Sequence, residues 1–464
     1  MPEPLYPSVG FWGLSRPMRF EADVRDCEVI GEIPKDLRGS YFRVGPDRAY
    51  PTLEGDALIN GDGVISVFRI EDGGVDFRCR YVETERLRHE RKARRRLYGI
   101  YRNEFTDDPS TAGTDRDNTA NTHAFSHHGK LFALREDSYP TEIDPKTLET
   151  LGTWTCGNRL KSKTMTAHPK IDPDTGEWWG YGIFAHKRYE GEMTLQVIDR
   201  NGKLIREEEF MSPFPGIGHD FALTTEHIIF PIMPLTVDLR RVRQGGDFYA
   251  YDPDLTPVYG IMPRGGSVSQ IKWFKVPGAF LAHVMNAYSE GHLVHIDAPL
   301  ARGNSFAMFR DVSGNKTDPA LGIPMISRLT FDLKSGEVSI KQFPGSIGEM
   351  PRCDERFASK RYRYGFHRSL EGITRIDWQT GERSICATPH APGGTQEPVF
   401  VPRAPDAPEG EGYVVCLANV ASENRAELIV ADAMKMEQGP VATVRLPFNQ
   451  PAAFHGCFVS DWQH

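Results

Sequence analysis

The amino-acid sequence predicts an all-β protein of the propeller type, on the evidence of short strand-like segments and a recurring turn. Apolar runs such as HHGKLFAL, EHIIFPI, GYVVCLA and ELIVADA have the length and residue types of short strands. Amphipathic helical patterns are nearly absent outside residues 85–98. Propeller blades are small antiparallel meanders, so they require short strands joined by tight turns.

The recurring turn consists of an apolar residue, an aspartate and a polar stretch that ends in glycine or another residue tolerant of positive φ. It occurs at 143–149, 171–177, 198–204, 331–337 and 376–382. Because the spacing is not constant, loops of different length must separate the strands. A β-sandwich array is the alternative. Since no Pro/Ser-rich linker divides the chain, we expect one domain over residues 1–464.

Composition and charge exclude several classes of protein. The formal net charge of −8 argues against a general nucleic-acid binder. The basic run Arg86–Arg96 predicts a solvated surface helix rather than a partner or membrane patch. No stretch approaches the ~18 apolar residues of a membrane span, and the N-terminus lacks a secretory pattern. Seven scattered cysteines without a CxxC pair favour a reducing cytoplasm. The oligomeric state cannot be read from these features.

Four widely separated histidines are candidate metal ligands: His168, His219, His283 and His455. In a propeller the inner strand of each blade faces the central axis, so axial ligands come one per blade rather than in a compact HExxH motif. The first gaps, 168 to 219 and 219 to 283, are near the ~40–50 residues of one blade. Four imidazoles would hold a divalent metal such as iron(II) and leave positions open for dioxygen.

Long segments spread over the whole chain strengthen this interpretation. GEIPKDLRGSYFRVGP, NGDGVISVFR, YGIYRNEFTDD, KLFALREDSYP, TAHPKIDPDTGE, HDFALTTEHIIFPIMP, QEPVFVPR and GPVATVRLPF resemble the carotenoid cleavage oxygenases, in particular their lignostilbene dioxygenase and isoeugenol monooxygenase branch. The resemblance implies a seven-bladed propeller with iron on its axis, capped by loops and short helices.

The resemblance also implies which residues surround the iron. Glu136, Glu349 and Glu397 fall on the three glutamates that fix iron-binding histidines in this family. A carboxylate that accepts the distal N–H of an imidazole fixes its tautomer and orientation and makes it a stronger ligand. Thr122, in ANTHAF, resembles the threonine that partly shields an open iron position.

The substrate contacts implied by the resemblance are Tyr101 and Arg135. In the phenolic branch a tyrosine and a lysine anchor a 4-hydroxyl group, and arginine replaces the lysine in this sequence. Arginine stays protonated, so it can hold a phenolate but cannot act as a base. The expected reaction is cleavage of the alkene bond of a small phenolic substrate by dioxygen. No flavin, NAD or haem is expected, and no G-x-G-x-x-G opens a helix after a strand.

Two other functions stay open at this point. A carotenoid or apocarotenoid oxygenase would share the fold and the iron but would need a longer apolar tunnel. A propeller without metal, either an interaction scaffold or a lactonase-like enzyme, would use the histidines otherwise. The sequence does not identify the alkene, whether a stilbene, a propenylphenol, a vinylphenol or an apocarotenoid. It also leaves open whether the intermediate is a dioxetane or an epoxide.

Overall fold

The computed structural model describes residues 17–51, 53, 56–388 and 394–463. The N-terminal residues 1–14, whose sequence lacks a secretory pattern, lie outside these ranges. The strands, in chain order, are β1 (Ala22–Val24), β2 (Glu28–Gly31), β3 (Gly39–Asp47), β4 (Asp62–Glu71), β5 (Gly74–Tyr81), β6 (His123–His127), β7 (Lys130–Leu134), β8 (Thr141–Ile143), β9 (Thr150–Thr153), β10 (Lys170–Ile171), β11 (Trp178–Ile183), β12 (Glu192–Ile198), β13 (Leu204–Met211), β14 (Gly216–Ile217), β15 (Ala222–Leu223), β16 (His227–Val237), β17 (Tyr249–Tyr251), β18 (Val258–Pro263), β19 (Lys272–Lys275), β20 (Phe280–Leu281), β21 (Asn286–Glu290), β22 (Leu293–Ala301), β23 (Met325–Asp332), β24 (Val338–Ile347), β25 (Glu349–Cys353), β26 (Tyr364–Arg368), β27 (Gly372–Asp377), β28 (Arg383–Ala387), β29 (Thr395–Pro402), β30 (Gly412–Val420), β31 (Arg425–Asp432), β32 (Ala442–Arg445) and β33 (His455–Ser460).

These strands form antiparallel sheets that follow one another along the chain. Four sheets are local: β10–β13, β14–β19, β20–β24 and β25–β28. A fifth sheet joins β2 to the C-terminal meander in the order β2-β32-β31-β30-β29. In the nine-stranded sheet, β1-β5-β4-β3-β33 meets β6-β7-β8-β9 at one parallel bridge, between His455 and His123. The two chain ends therefore share sheets, as closure of a propeller requires.

The all-β prediction is confirmed, and solved structures with this fold are reported below. Seven blades and a single domain stay predictions. In the described part of the chain the α-helices are α1 (Glu85–Ala93) and α2 (Leu239–Arg243). The longer of them has nine residues, well short of the ~20 that a bilayer-spanning helix needs.

The prediction of a solvated basic helix was wrong for part of α1. Thr84 caps this helix by accepting the Leu87 amide, as expected for a threonine N-cap. Arg86 and Glu90, however, are buried. The Arg86 guanidinium donates to the side chain and carbonyl of Asn60, and Glu90 accepts amides from the segment after the helix. A helix that packs on one side buries whichever residues occupy that face, charged or not.

The recurring turns join neighbouring strands, as predicted. In each turn the aspartate accepts amide hydrogens from residues two to four positions ahead, which satisfies backbone groups that the hairpin leaves unpaired. A residue with positive φ follows in every turn. It is glycine in four turns and Leu148, at φ 63°, in the first.

The core lies between the faces of successive sheets. One continuous apolar cluster includes Leu195 of β12, Ile229 of β16, Ile296 of β22 and Leu329 of β23, all with no exposed surface. Because both faces of these strands are covered, their inner ends have little freedom to move. Side chains at those inner ends are consequently held in fixed positions.

Candidate metal centre

The four predicted histidines converge at the inner ends of strands from four different sheets. His168 precedes β10, His219 lies between β14 and β15, His283 lies between β20 and β21, and His455 opens β33. Their ligand atoms all lie within 4.8 Å of one another. The structure therefore brings together one histidine from each of four sheets, although the first and last are 287 positions apart (455 − 168).

The separations of these nitrogens fit a metal ion. The Nε2 atom of His219 lies 3.1 Å from Nε2 of His168 and 3.2 Å from Nε2 of His283. With metal–nitrogen bonds of about 2.1 Å, ligands at 90° lie about 3.0 Å apart and tetrahedral ligands about 3.4 Å apart. The observed spacings of 3.1 and 3.2 Å lie between these two values. They are therefore compatible with a single metal ion held by the imidazole nitrogens in either arrangement.

Carboxylates lie behind three of the four imidazoles. Glu349 Oε2 lies 2.8 Å from Nδ1 of His283, and Glu397 Oε1 lies 2.8 Å from Nδ1 of His455. Glu136 Oε1 is 3.5 Å from Nδ1 of His219, a longer contact. These carboxylates direct the opposite nitrogen, Nε2, toward the common centre. In the described part of the chain, His168 has no such carboxylate.

The electrostatics of the site favour the neutral imidazole at His168 and at His455. Burial, reinforced by His455 and the other histidines, holds the pKa of His168 well below its usual value. Burial also lowers the pKa of His455 to about 4, although Glu397 opposes it. The pKa of His283 is raised, because the adjacent Glu349 more than offsets the effect of burial. Neutral imidazole is the form that binds a metal, so His168 and His455 offer their lone pairs at neutral pH.

Glu397 contacts two arginines and a backbone amide in addition to His455. Its Oε2 lies 2.8 Å from the buried Arg43 guanidinium and accepts the Gly456 amide at 3.1 Å. Arg352 lies 3.4 Å from its Oε1. Burial would raise the pKa of Glu397, but Arg352, His455 and Arg43 hold it well below the usual value. Glu397 thus connects His455 to Arg43 of β3 and Arg352 of β25.

The predicted substrate residues lie together in a buried polar cluster beside the histidines. Tyr101 Oη donates to Asp137 Oδ2 at 2.9 Å. The Arg135 guanidinium donates to the same oxygen at 3.0 and 3.1 Å and lies 5.0 Å from the Tyr101 ring centroid. Arg102 Nη1 lies 2.6 Å from the other Asp137 oxygen. We call Tyr101, Arg102, Arg135 and Asp137 the phenol cluster from here on, after the phenol side chain of Tyr101.

Thr122 connects the phenol cluster to the histidines. Its carbonyl accepts the amide of His455 at 3.1 Å. Its hydroxyl accepts from Arg135 Nη1 at 3.2 Å and donates to Asn121 at 3.0 Å. Glu136, which faces His219, directly follows Arg135 in the chain. The two groups of predicted residues are therefore parts of one site.

Several residues of this site escaped the sequence interpretation. Asp137, Arg102 and Asn121 were not proposed, because nothing in one sequence separates a buried carboxylate or arginine from a surface one. Phe306 was also missed. The centroid of its ring lies 5.2 Å from that of His219, and the ring centroid of Phe309 lies 6.2 Å from that of Tyr101. Aromatic rings therefore lie between the histidines and the phenol cluster.

A separate cavity of about 480 Å³ reaches the histidines from another direction. His168, His283 and His455 form part of its wall, together with Lys170 and Arg352. Tyr101, Thr122 and Arg135 do not line it. The phenol cluster and this cavity therefore approach the histidines separately.

Comparisons with known proteins agree with this geometry. The family model described as retinal pigment epithelial membrane protein (RPE65) matches residues 15–460. Isoeugenol monooxygenase of Pseudomonas putida is 39% identical over 97% of both chains. Lignostilbene-alpha,beta-dioxygenase isozyme III of Sphingomonas paucimobilis is 38% identical over 96% of both.

Among solved structures, Pseudomonas brassicacearum lignostilbene dioxygenase superposes with a TM-score of 0.94 at 37% identity, covering 98% of this chain and 99% of that one. The family resemblance predicted from the sequence is confirmed. The chain belongs to the retinal pigment epithelial membrane protein family, which includes the carotenoid cleavage oxygenases.

Proposed function

We propose that this protein is an iron(II)-dependent oxygenase that cleaves the alkene bond of a small 4-hydroxyphenyl substrate, of the 4-hydroxystilbene, isoeugenol or 4-vinylguaiacol type. The observation that carries the proposal is the position of the phenol cluster. Two of its residues, Arg135 and Asp137, flank Glu136 in the chain, and Glu136 contacts His219. A buried arginine–aspartate–tyrosine group offers hydrogen bonds to a hydroxyl group at a fixed distance from the metal centre.

The histidine set fits iron(II). Four imidazoles whose Nε2 spacings are 3.1 and 3.2 Å can hold an octahedral ion such as iron(II) and leave two positions open for small molecules, whereas structural zinc prefers four ligands in a tetrahedron. The three carboxylates place negative charge near a divalent ion in a buried site, although Glu136 and Glu397 also interact with arginines. An iron(II) ion held here would activate dioxygen, with the substrate supplying the electrons.

The residues of this chain would bind and orient the substrate. Tyr101 and Arg135 hold the 4-hydroxyl group, and Phe306 packs beside the alkene near His219. A strong hydrogen bond that the phenol donates raises the electron density of the conjugated alkene. One dioxygen molecule adds across the carbon–carbon double bond and both oxygen atoms end in carbonyl groups, so two aldehydes form and no external reductant, flavin, NAD or haem is consumed. Thr122 restricts access to an open metal position.

A carotenoid or apocarotenoid oxygenase is the second candidate, because that activity shares the fold. The phenol cluster argues against it. A hydrocarbon chain would lie against buried charged groups without satisfying their hydrogen bonds, which costs about 1–3 kcal/mol for each group left unpaired.

The remaining expectations are part of the same proposal. Two antiparallel groups in the nine-stranded sheet and the five other sheets support seven blades in a single domain. The seven free, buried cysteines support a reducing cytoplasmic location.

The proposal is tested with 4-hydroxystilbene, isoeugenol, 4-vinylguaiacol and an apocarotenal, each supplied with dioxygen and followed by aldehyde detection. We expect aldehydes from at least one phenolic alkene and none from the apocarotenal. Iron analysis of the purified protein should give about one iron per chain. Cleavage of the apocarotenal alone would replace the phenolic assignment with the second candidate. Protein without iron or turnover would contradict both.

A further inference from the structure

The direction of one hydrogen bond in the phenol cluster restricts the form in which a substrate can bind. Tyr101 Oη lies 2.9 Å from Asp137 Oδ2. A carboxylate can only accept, so the tyrosine proton points at Asp137. Burial, reinforced by the charge of Asp137, holds the pKa of Tyr101 well above its ordinary value. Tyr101 therefore keeps its proton, and its oxygen can only accept from a ligand.

Most N–H donors of Arg135 already have acceptors within the protein. A guanidinium has five N–H donors. Two point at Asp137 Oδ2, through Nε and Nη2, and the two on Nη1 point at Asn121 and Thr122. Among the described residues, the second N–H of Nη2 is left without an acceptor. The site thus presents one acceptor, Tyr101 Oη, and one donor, Arg135 Nη2.

One acceptor beside one donor matches a hydroxyl group rather than an oxyanion. We propose that Asp137 is a positioning residue that turns Tyr101 into an acceptor, so that this site takes the neutral phenol, whose hydroxyl donates to Tyr101 and accepts from Arg135. The proposal rests on the proposed function and narrows it. A phenolate would bring two lone-pair-bearing oxygens together at Tyr101, with no proton between them.

The charged groups around this position do not favour an anion. Arg102 and Arg135 both face Asp137, and Glu136 and Tyr249 also act on Tyr101. Asp56 accepts the Tyr101 amide from the other side at 2.9 Å. Two guanidinium groups are thus matched by two adjacent carboxylates, Glu136 and Asp137. The position that receives the substrate hydroxyl lacks the excess positive charge that a phenolate would need.

The first test compares two substrates on the unmodified holoenzyme. One is 4-hydroxystilbene, with an ordinary phenol pKa of about 10; the other is a ring-fluorinated analogue that ionises at about pH 7. Because kcat/KM follows the form of free substrate that binds, it should fall about 50-fold for the fluorinated analogue between pH 7 and 9, since the neutral fraction of that analogue falls from about one half to about 1%. It should change little for the parent compound, which controls for losses of metal or stability. A constant or rising kcat/KM for the analogue would overturn the proposal.

The second test changes the positioning residue. In Asp137→Asn the negative charge between two guanidiniums is lost, so the site gains positive charge and the tyrosine proton is released from its carboxylate. We expect the alkaline fall in kcat/KM with the fluorinated substrate to disappear. Asp297→Asn is the matched control, because Asp297 is a buried aspartate paired with Arg328 at 2.7 and 2.8 Å in another sheet. It should keep the alkaline fall.

The outcomes separate this proposal from the proposed function. Cleavage of 4-hydroxystilbene with an anion-type pH profile contradicts the role of Asp137 and leaves the oxygenase assignment standing. An alkaline fall that persists in Asp137→Asn contradicts it equally. If no phenolic alkene is cleaved at any pH, both proposals fail. Should Asp137→Asn not fold, the profile of the unmodified enzyme decides.

Discussion

Glu349 and Glu397 make the same contact with a histidine but differ in everything else they touch. Each lies 2.8 Å from an imidazole Nδ1. Glu349 has one further protein contact, with the following amide, whereas Glu397 also contacts Arg43 and Arg352. We therefore predict that glutamine at either position weakens metal binding, and that only Glu397→Gln strongly destabilises the metal-free protein.

The magnitudes follow from these contacts. Loss of a carboxylate behind a metal-binding histidine lowers metal affinity by about 10–100-fold, or about 1.4–2.7 kcal/mol, and this should apply to both variants. Removing one partner of a buried ion pair costs about 3–5 kcal/mol. Arg43 retains two carbonyl acceptors, at 3.2 and 2.8 Å. The extra cost in Glu397→Gln should therefore be near the lower end, about 3 kcal/mol.

Two measurements separate the effects. Iron(II) affinity is measured by competition with a chelator, and unfolding is followed by circular dichroism on metal-free protein, since bound metal itself stabilises the fold. Glu349→Gln should lose affinity and keep most of its stability, whereas Glu397→Gln should lose both. Unchanged iron affinity in Glu349→Gln, or equal stability of the two variants, would refute the reasoning.

The remaining predictions concern the metal, the substrate and pH. His219→Ala should hold less iron and lose turnover, because its nitrogen lies close to two other ligands; full iron content and activity would contradict the site. A 4-methoxy analogue of an accepted 4-hydroxystilbene should react up to ~10⁴-fold more slowly, and Tyr101→Phe should remove much of that discrimination; equal turnover of both compounds by the unmodified protein would favour selection by shape. Burial, then Asp117 and Glu85, raises the pKa of Asp115 to about 6. Because the pKa of this carboxyl is higher in the folded protein than in the unfolded chain, where it is near 3.8, ionisation of Asp115 destabilises the fold as pH rises through 6. At pH 7 Asp115→Asn should therefore be more stable than the unmodified protein by on the order of 1–2 kcal/mol. At pH 3, where Asp115 is protonated in both states, the two proteins should be equally stable. Equal thermal unfolding of both proteins at pH 7 would contradict this.

Local features of the fold could be read from the sequence because their causes are local. The aspartate of each recurring turn bonds amides only two to four residues ahead, as Asp172 does with Asp174 and Thr175. The residues that stabilise each turn therefore lie within the turn sequence itself. The alternation of such turns with short apolar runs was sufficient for an all-β prediction, and the resemblance of segments spread over the whole chain was sufficient for the family.

Contacts between distant segments were decided only by the tertiary structure. Arg43 and Glu397 are 354 residues apart and meet at 2.8 Å, and no local pattern marks either as buried. Arg86 belonged to a basic run and still lies inside the protein, because α1 packs with that face inward.

The phenol cluster shows the same division. Tyr101 and Arg135 were identified by their motifs, but Asp137, the neighbour that would decide how they bind a hydroxyl group, was not. Asp137 follows Glu136 directly in the sequence, yet its two oxygens face Arg102 on one side and Tyr101 and Arg135 on the other. A single sequence specifies which groups are present. The direction of each hydrogen bond depends on which of them folding brings within about 3 Å, because hydrogen bonds act only over that distance.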